Sequence, residues 1–220
     1  MSQDITVSSL LDLSHTAAKP LLERCQYPWE ALSGISAFIR ELSASLGADY
    51  EQRDEWVFVH KTASVAPTAF LGGPCIIGAE TEVRHGAFIR GSALVGMGCV
   101  VGNSAELKNV ILFDKVQVPH YNYVGDSILG YRAHMGAGSI TSNVKSDKTL
   151  VTVKTQPPIE TGLKKFGAVL GDGVEVGCNS VLNPGCILGR RVSVYPVSCV
   201  RGVIPADSIV KTGGVVVHRN

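Results

Sequence analysis

Val59, Val65, Leu71, Ile77, Val83, Ile89, Val95, Val101 and Leu107 stand six residues apart, and all nine are aliphatic. Four residues after each comes Ala63, Ala69, Cys75, Thr81, Ala87, Ala93, Cys99, Ala105 and then Ile111, all small but the last. The series continues through two five-residue steps, Leu112, Val118, Val124, Leu129 and Met135, and a second block follows at Leu170, Val176, Leu182, Leu188, Val194 and Val200. A hexapeptide period of this kind describes a parallel β-helix. Each hexad supplies a short strand and a bend, with the aliphatic pointing inward and the small residue at a tight inner corner. Successive coils pair their backbones about 4.8 Å apart. The expected fold is all-β, a β-helix of hexapeptide repeats. Three hexads per coil would place both five-residue steps on the same side of a three-sided coil. The pattern alone does not set handedness.

Outward from this block the sequence changes character. Residues 1–55 read as a small helical appendage. Tyr27-Pro28-Trp29 opens a helix whose apolar face is Leu32, Ile35, Phe38, Ile39, Leu42 and Leu46, with Gly47 able to end it. The expectation is two helices that cap an open end of the main fold. The β-helix itself spans 56–212. It is interrupted at 144–164, where the repeat stops and Pro157-Pro158 occurs, and a loop this long is expected to be functional or disordered. Residues 213–220 read as a tail.

Composition agrees. Glycine numbers 24 of 220 residues, charged residues are 18%, and the net charge is +1. Such a balanced surface argues against bulk binding to nucleic acid or membranes. No apolar run approaches the roughly 18 residues of a membrane span. Met1 to Leu13 lacks a basic cluster, so no signal peptide is read and a cytoplasmic setting is expected. The six cysteines form no Cys-x-x-Cys pair and read as reduced and mostly buried. Among them Cys178 alone falls in a bend that could face a ligand.

Stacking turns spacing into contact. Arg90 and Lys108 lie one coil apart, so two like charges meet on an outer surface. They either splay into water or grip one anion such as a phosphate. Phe88, Glu106 and Tyr123 form the neighbouring column, which places Glu106 beside Lys108 and Tyr123. His120 sits in the bend just before Tyr123. His85 and His120 occupy equivalent bends two coils apart, roughly 9–10 Å, too far for one zinc within a chain. No metal is expected from one chain.

The run Glu106-Leu107-Lys108, Val118-Pro119-His120-Tyr121-Asn122-Tyr123-Val124-Gly125-Asp126 and Met135-Gly136-Ala137-Gly138-Ser139-Ile140-Thr141-Ser142-Asn143 resembles a known family. It is similar to the acetyltransferase domain of the bacterial bifunctional N-acetylglucosamine-1-phosphate uridyltransferase/glucosamine-1-phosphate acetyltransferases, from about Ile89 to about Ile204. The whole chain resembles stand-alone proteins described as UDP-N-acetylglucosamine pyrophosphorylase-related. The resemblance implies a left-handed β-helix, a homotrimer with sites between subunits, acetyl-CoA as donor, and a sugar phosphate or nucleotide sugar as acceptor. It implies His120 as general base, and Arg90, Lys108, Tyr123 and Lys165 as substrate ligands. His134 stands where the family has a substrate asparagine. Ala137, Asn143 and Cys178 match positions near the acyl donor, with Cys178 replacing a serine.

Two departures touch the donor side: Val144 replaces a tyrosine, and Pro196 replaces an alanine whose N–H meets the cofactor. No Gly-rich uridyltransferase loop precedes residue 59, so pyrophosphorylase activity is not expected. Two functions follow: an acyl-CoA-dependent N-acyltransferase, or a trimer that binds a sugar phosphate or nucleotide sugar without acylating it.

Overall fold

The computed structural model describes residues 4–219. Residues 1–3 and 220, which belong to the appendage and the tail, lie outside the described residues. The chain winds into a left-handed parallel β-helix of about 9 turns. The inward residues stack coil on coil, Leu71 on Ile89 on Leu107 on Val124, and Ile89, Leu107 and Val124 are fully buried. Both five-residue steps fall at one corner. There the strands Glu106–Leu112 and Tyr123–Leu129 run on without a break, turned by the positive φ of Asn109 and Asp126.

Three faces result, each recognised by its outward column. The first carries Phe70, Phe88, Glu106, Tyr123, Ile140, Val181 and Cys199. The second carries Ile76, Leu94, Ile111, Ile128, Val169 and Ile187. The third carries Ser64, Glu82, Val100, Gln117, His134, Glu175 and Ser193.

The second column is aliphatic throughout and needs cover. The N-terminal segment supplies it. The 3-10 turn Pro28–Gly34 and the helix Ile35–Ser43 lie across this face, burying Leu32, Ile35, Phe38 and Ile39 against Ile76, Leu94 and Ile111. Glu30 caps the turn by accepting from the Gln26 and Tyr27 N–H groups. The helices therefore flank the solenoid, and the expectation that they cap its end is corrected. Asp172 fastens the segment, accepting from the N–H groups of Asp12 and Tyr131, each at 2.8 Å, while His15 stacks on Tyr131.

The ends are closed by hairpins instead. Tyr50–Asp54, within the span read as helical, is a strand antiparallel to Val57–His60. Val216–His218, within the span read as tail, pairs antiparallel with Ser208–Val210. The 144–164 interruption is ordered. Thr152–Val153 and Ile159–Glu160 form a small hairpin, Val151 and Val153 are buried, and the Phe166 N–H closes the excursion on the Asn143 carbonyl at 2.9 Å. No helix among the described residues is long and apolar enough to cross a membrane.

Candidate functional site

Arg90 and Lys108 stack as the spacing requires, because Ile89 pairs with Leu107 and the Arg90 N–H meets the Leu107 carbonyl. Each cation has its own carboxylate. Arg90 pairs with Glu106 at 2.7 Å, and Lys108 reaches both Asp126 oxygens at 2.8 and 3.0 Å. The expected like-charge repulsion is therefore offset, and Glu106 serves Arg90 instead of Lys108.

Asp126 is the hub that sequence reasoning missed. Its side chain is only 5% exposed. It also accepts from the amides of Asn109 and Asn143, so every approach to its carboxylate is taken. Asn143 donates in addition to the Tyr123 hydroxyl at 3.1 Å. Tyr123, Asn143, Asp126 and Lys108 thus form one connected group at the corner between the first and second faces. Burial, followed by the carboxylates of Asp126 and Glu106, pushes the Tyr123 phenol above its ordinary range. It remains a protonated hydroxyl at neutral pH. Gly125 lies beneath this group, and a Cβ there would strike the Tyr123 hydroxyl and the Asn143 amide. Opposite charges one coil apart, Lys108 and Asp126, were the signal available in the sequence.

The other edge of the first face holds a second column. His120 lies opposite Asn103 on one side. On the other, the Gly138 N–H meets the His120 carbonyl, the Asn179 N–H that of Ala137, and the Val197 N–H that of Cys178. His120, Ala137, Cys178 and Pro196 therefore follow one another along one corner. His120 is exposed, its own N–H donates to the Asn122 side chain, and its ring makes no hydrogen bond among the described residues. The N–H groups of Ala137 and Cys178 likewise have no acceptor among them. An extended polar chain such as an acyl-CoA arm could take these two donors, and at Pro196 no third exists. The donor set fits such an arm over two coils.

Three expected residues lie apart from these columns. Asn143, expected near the donor, sits on the Lys108 side. His134 projects from the third face, with its Nδ1 held by Glu175 at 2.8 Å. Lys165 is exposed where the inserted loop rejoins the solenoid. Cys75, Cys99 and Cys186 are buried as expected, while both Cys178 and Cys199 are exposed. No group of three or more metal-ligating side chains occurs among the described residues.

The chain is 29% identical over 181 residues to the bifunctional protein GlmU of Methanococcus maripaludis, covering 76% of this chain and 44% of that protein. It is 37% identical over 130 residues to GlmU of a Nostoc species, covering 59% of this chain and 25% of that protein. The matched region is the C-terminal acetyltransferase part, and the chain spans less than half the length of these relatives. Among solved structures, a hexapeptide transferase family protein from Anaplasma phagocytophilum aligns with a TM-score of 0.42 at 16% identity, over 74% of this chain and 80% of that one. The N-acyltransferase AntD of Bacillus cereus, in complex with dTDP and coenzyme A, aligns with a TM-score of 0.41 at 15% identity, over 78% and 91%. The family described as the GMPPB C-terminal domain matches residues 73–212, most of the coils just described, and the chain belongs to that family.

Proposed function

We propose that the protein is an N-acyltransferase that moves an acyl group from acetyl-CoA to the amino group of a sugar phosphate or nucleotide sugar. The observation that carries the proposal is the His120 corner: an exposed, unengaged imidazole beside two free backbone N–H groups, across one face from Tyr123, Arg90 and Lys108. His120 takes the proton shed by the amine as its nitrogen bonds to the thioester carbonyl carbon. The C–S bond breaks and the thiolate leaves. Arg90 and Lys108 bind the phosphate of the acceptor, and Tyr123 and Lys165 orient its sugar. Ala137 and Cys178 line the donor arm. Asn143, by its place beside Tyr123, acts from the acceptor side.

A homotrimer completes this arrangement. His134 pairs with Gln117, at the end of the strand Gln117–His120 remote from His120, so a second copy is what brings such a residue to the acceptor. The exposed Phe70 and Phe88 rings, tilted against each other with centroids 5.4 Å apart on the first face, are apolar surface for such a contact. A reducing cytoplasm suits both the free cysteines and a thioester donor. The GlmU relatives, matched over their acetyltransferase part, support the general class.

A second reading has its own support. Pro196 interrupts the donor column, which fits a protein that binds sugar phosphates without acylating them. Release of free thiol from acetyl-CoA, followed across a panel of amino-sugar phosphates and nucleotide amino sugars, separates the two. Activity with any acceptor supports the enzyme. Sugar-phosphate binding without thiol release leaves the binding protein.

A further inference from the structure

We infer that the corner between the second and third faces holds an anion site for a phosphate or diphosphate group, built by Lys115 and Arg132. This inference stands apart from the acyl-transfer proposal: neither Lys115 nor Arg132 is an acceptor or donor ligand there, and His134, which lines the same groove, is turned to Glu175. The corner residues follow one another as Gly98, Lys115, Arg132, Gly173 and Arg191. The Lys115 N–H meets the Met97 carbonyl, and the N–H groups of Arg132, Gly173 and Arg191 meet those of Asp114, Tyr131 and Asp172. All five have positive φ.

Two cations therefore stand one coil apart in a notch whose neighbours on both sides are glycines without side chains. Arg191, the next cation along, is neutralised by Asp207 at 2.6 Å. Arg90 and Lys108, stacked in the same way at another corner, each hold a carboxylate. Lys115 and Arg132 hold none among the described residues. The carboxylates nearby are committed elsewhere. Glu175 pairs with His134, Asp114 accepts from the Met97 N–H at 2.8 Å, and Asp172 accepts from Asp12 and Tyr131.

Both cations lie by one ring. Lys115 Nζ is 6.0 Å and the Arg132 guanidinium 5.1 Å from the Tyr131 centroid, and His15 braces Tyr131 by stacking 3.7 Å away. Both cations line an open groove of about 510 Å³, which Gln117, His134 and Glu175 also line. Like charges held without a counter-ion favour an anion that both can grip, and Arg with Lys suits phosphate oxygens. The groove exceeds the size of one phosphate and leaves room for the group that bears it.

Calorimetric titration with pyrophosphate, and with inorganic phosphate in a parallel arm, tests this. Wild type should bind pyrophosphate, and a Lys115→Gln/Arg132→Gln variant should bind on the order of 10- to 100-fold more weakly, from the loss of charge-assisted hydrogen bonds. Arg132→Lys should retain part of the affinity. The variant's circular dichroism and melting temperature report whether the fold survives. Binding should also persist in saturating glucosamine 1-phosphate, which would occupy a site at Arg90 and Lys108. Absence of pyrophosphate binding by wild type, or displacement by the sugar phosphate, overturns the inference. So does a variant that melts earlier yet binds as wild type does, which would leave the pair as packing for Tyr131.

Discussion

Lys108 clasps both carboxylate oxygens of Asp126, one coil further on, at 2.8 and 3.0 Å. The lysine is 26% exposed and the aspartate 5%, so the pair is largely withdrawn from water. Removing one partner of such a pair leaves the other buried and under-compensated. Spacing alone suggested relief from like-charge repulsion on removal of Lys108, and the pairing reverses that expectation. Lys108→Ala should lower unfolding stability by about 1.5–3 kcal/mol. Arg90→Ala, at an open surface, should leave the urea midpoint near that of wild type. Equal midpoints for Lys108→Ala and wild type would show that Asp126 is satisfied by Asn109 and Asn143 alone.

Gly125 tests whether the Tyr123–Asn143 contact serves binding. A methyl group at this position meets the tyrosine hydroxyl and the asparagine amide, and the ring must swing out. The backbone there is not left-handed, so alanine adds no φ strain. Gly125→Ala should fold, with glucosamine 1-phosphate affinity reduced about tenfold, the worth of one hydrogen bond to a ligand. Unchanged affinity in a calorimetric titration would remove Tyr123 from the acceptor site.

The solenoid was legible because its core repeats. Every sixth residue must be aliphatic if coils stack, and the inward columns at Ile89, Leu107 and Val124 obey that rule. The five-residue steps were legible as a shared corner, though their cause, the turned backbone at Asn109 and Asp126, was not. The flank position of the helices was written in Ile76, Leu94, Ile111 and Ile128, which are outward yet aliphatic. That column was hidden because its neighbours, Cys75 and Ile77 among them, are apolar too, so no alternation marks which way each points. At the site, stacking placed Arg90 over Lys108 correctly. Counter-ions one column away, such as Asp126, need side-chain reach that spacing does not encode.

Outward Leu94 should be intolerant of charge where outward Phe70 is not. Leu94 is 2% exposed beneath the helix Ile35–Ser43, and Phe70 is 57% exposed. Leu94→Asp buries an unpaired carboxylate in an apolar seam and should cost at least about 3 kcal/mol. Phe70→Asp should leave the melting temperature of the isolated chain close to wild type. If the first face joins copies of the chain, it should also reduce the mass seen by light scattering. Equal tolerance at both positions would detach the helices from the second face.

Thiol reactivity should divide the cysteines. Burial pushes the thiols of Cys75, Cys99 and Cys186 up to about 12. At pH 8 a thiol of that acidity is thiolate in only about one molecule in 10⁴, and the thiolate is the reactive form. Iodoacetamide at pH 8 should label exposed Cys178 and Cys199 first. Half-buried Cys25, whose thiol burial and then Glu30 push up, should follow slowly. The three buried thiols should label only on unfolding, as mass spectrometry of the peptides would read. If acetyl-CoA lies along the His120 corner, it should slow labelling of Cys178 and leave Cys199, on the open face, unaffected. Equal protection of both would place the donor elsewhere.

His120 decides between the two functions. Its ring is exposed and unengaged, and it adjoins Ala137 in the coil that follows. An amine attacking a thioester must lose a proton, and a positioned imidazole typically contributes 10²–10⁴-fold to such a step. His120→Asn keeps a polar side chain of similar reach but cannot titrate. In an acetyl-CoA thiol-release assay it should lose about 10²–10⁴ in kcat while KM for the sugar acceptor changes little. His120→Ala should match it, because the proton, and not the shape, is what is lost. A rise in KM at constant kcat would make His120 a binding group. If His120→Asn is as active as wild type, the base lies elsewhere, and His134, held by Glu175 and brought in from a neighbouring copy, is the imidazole to replace next.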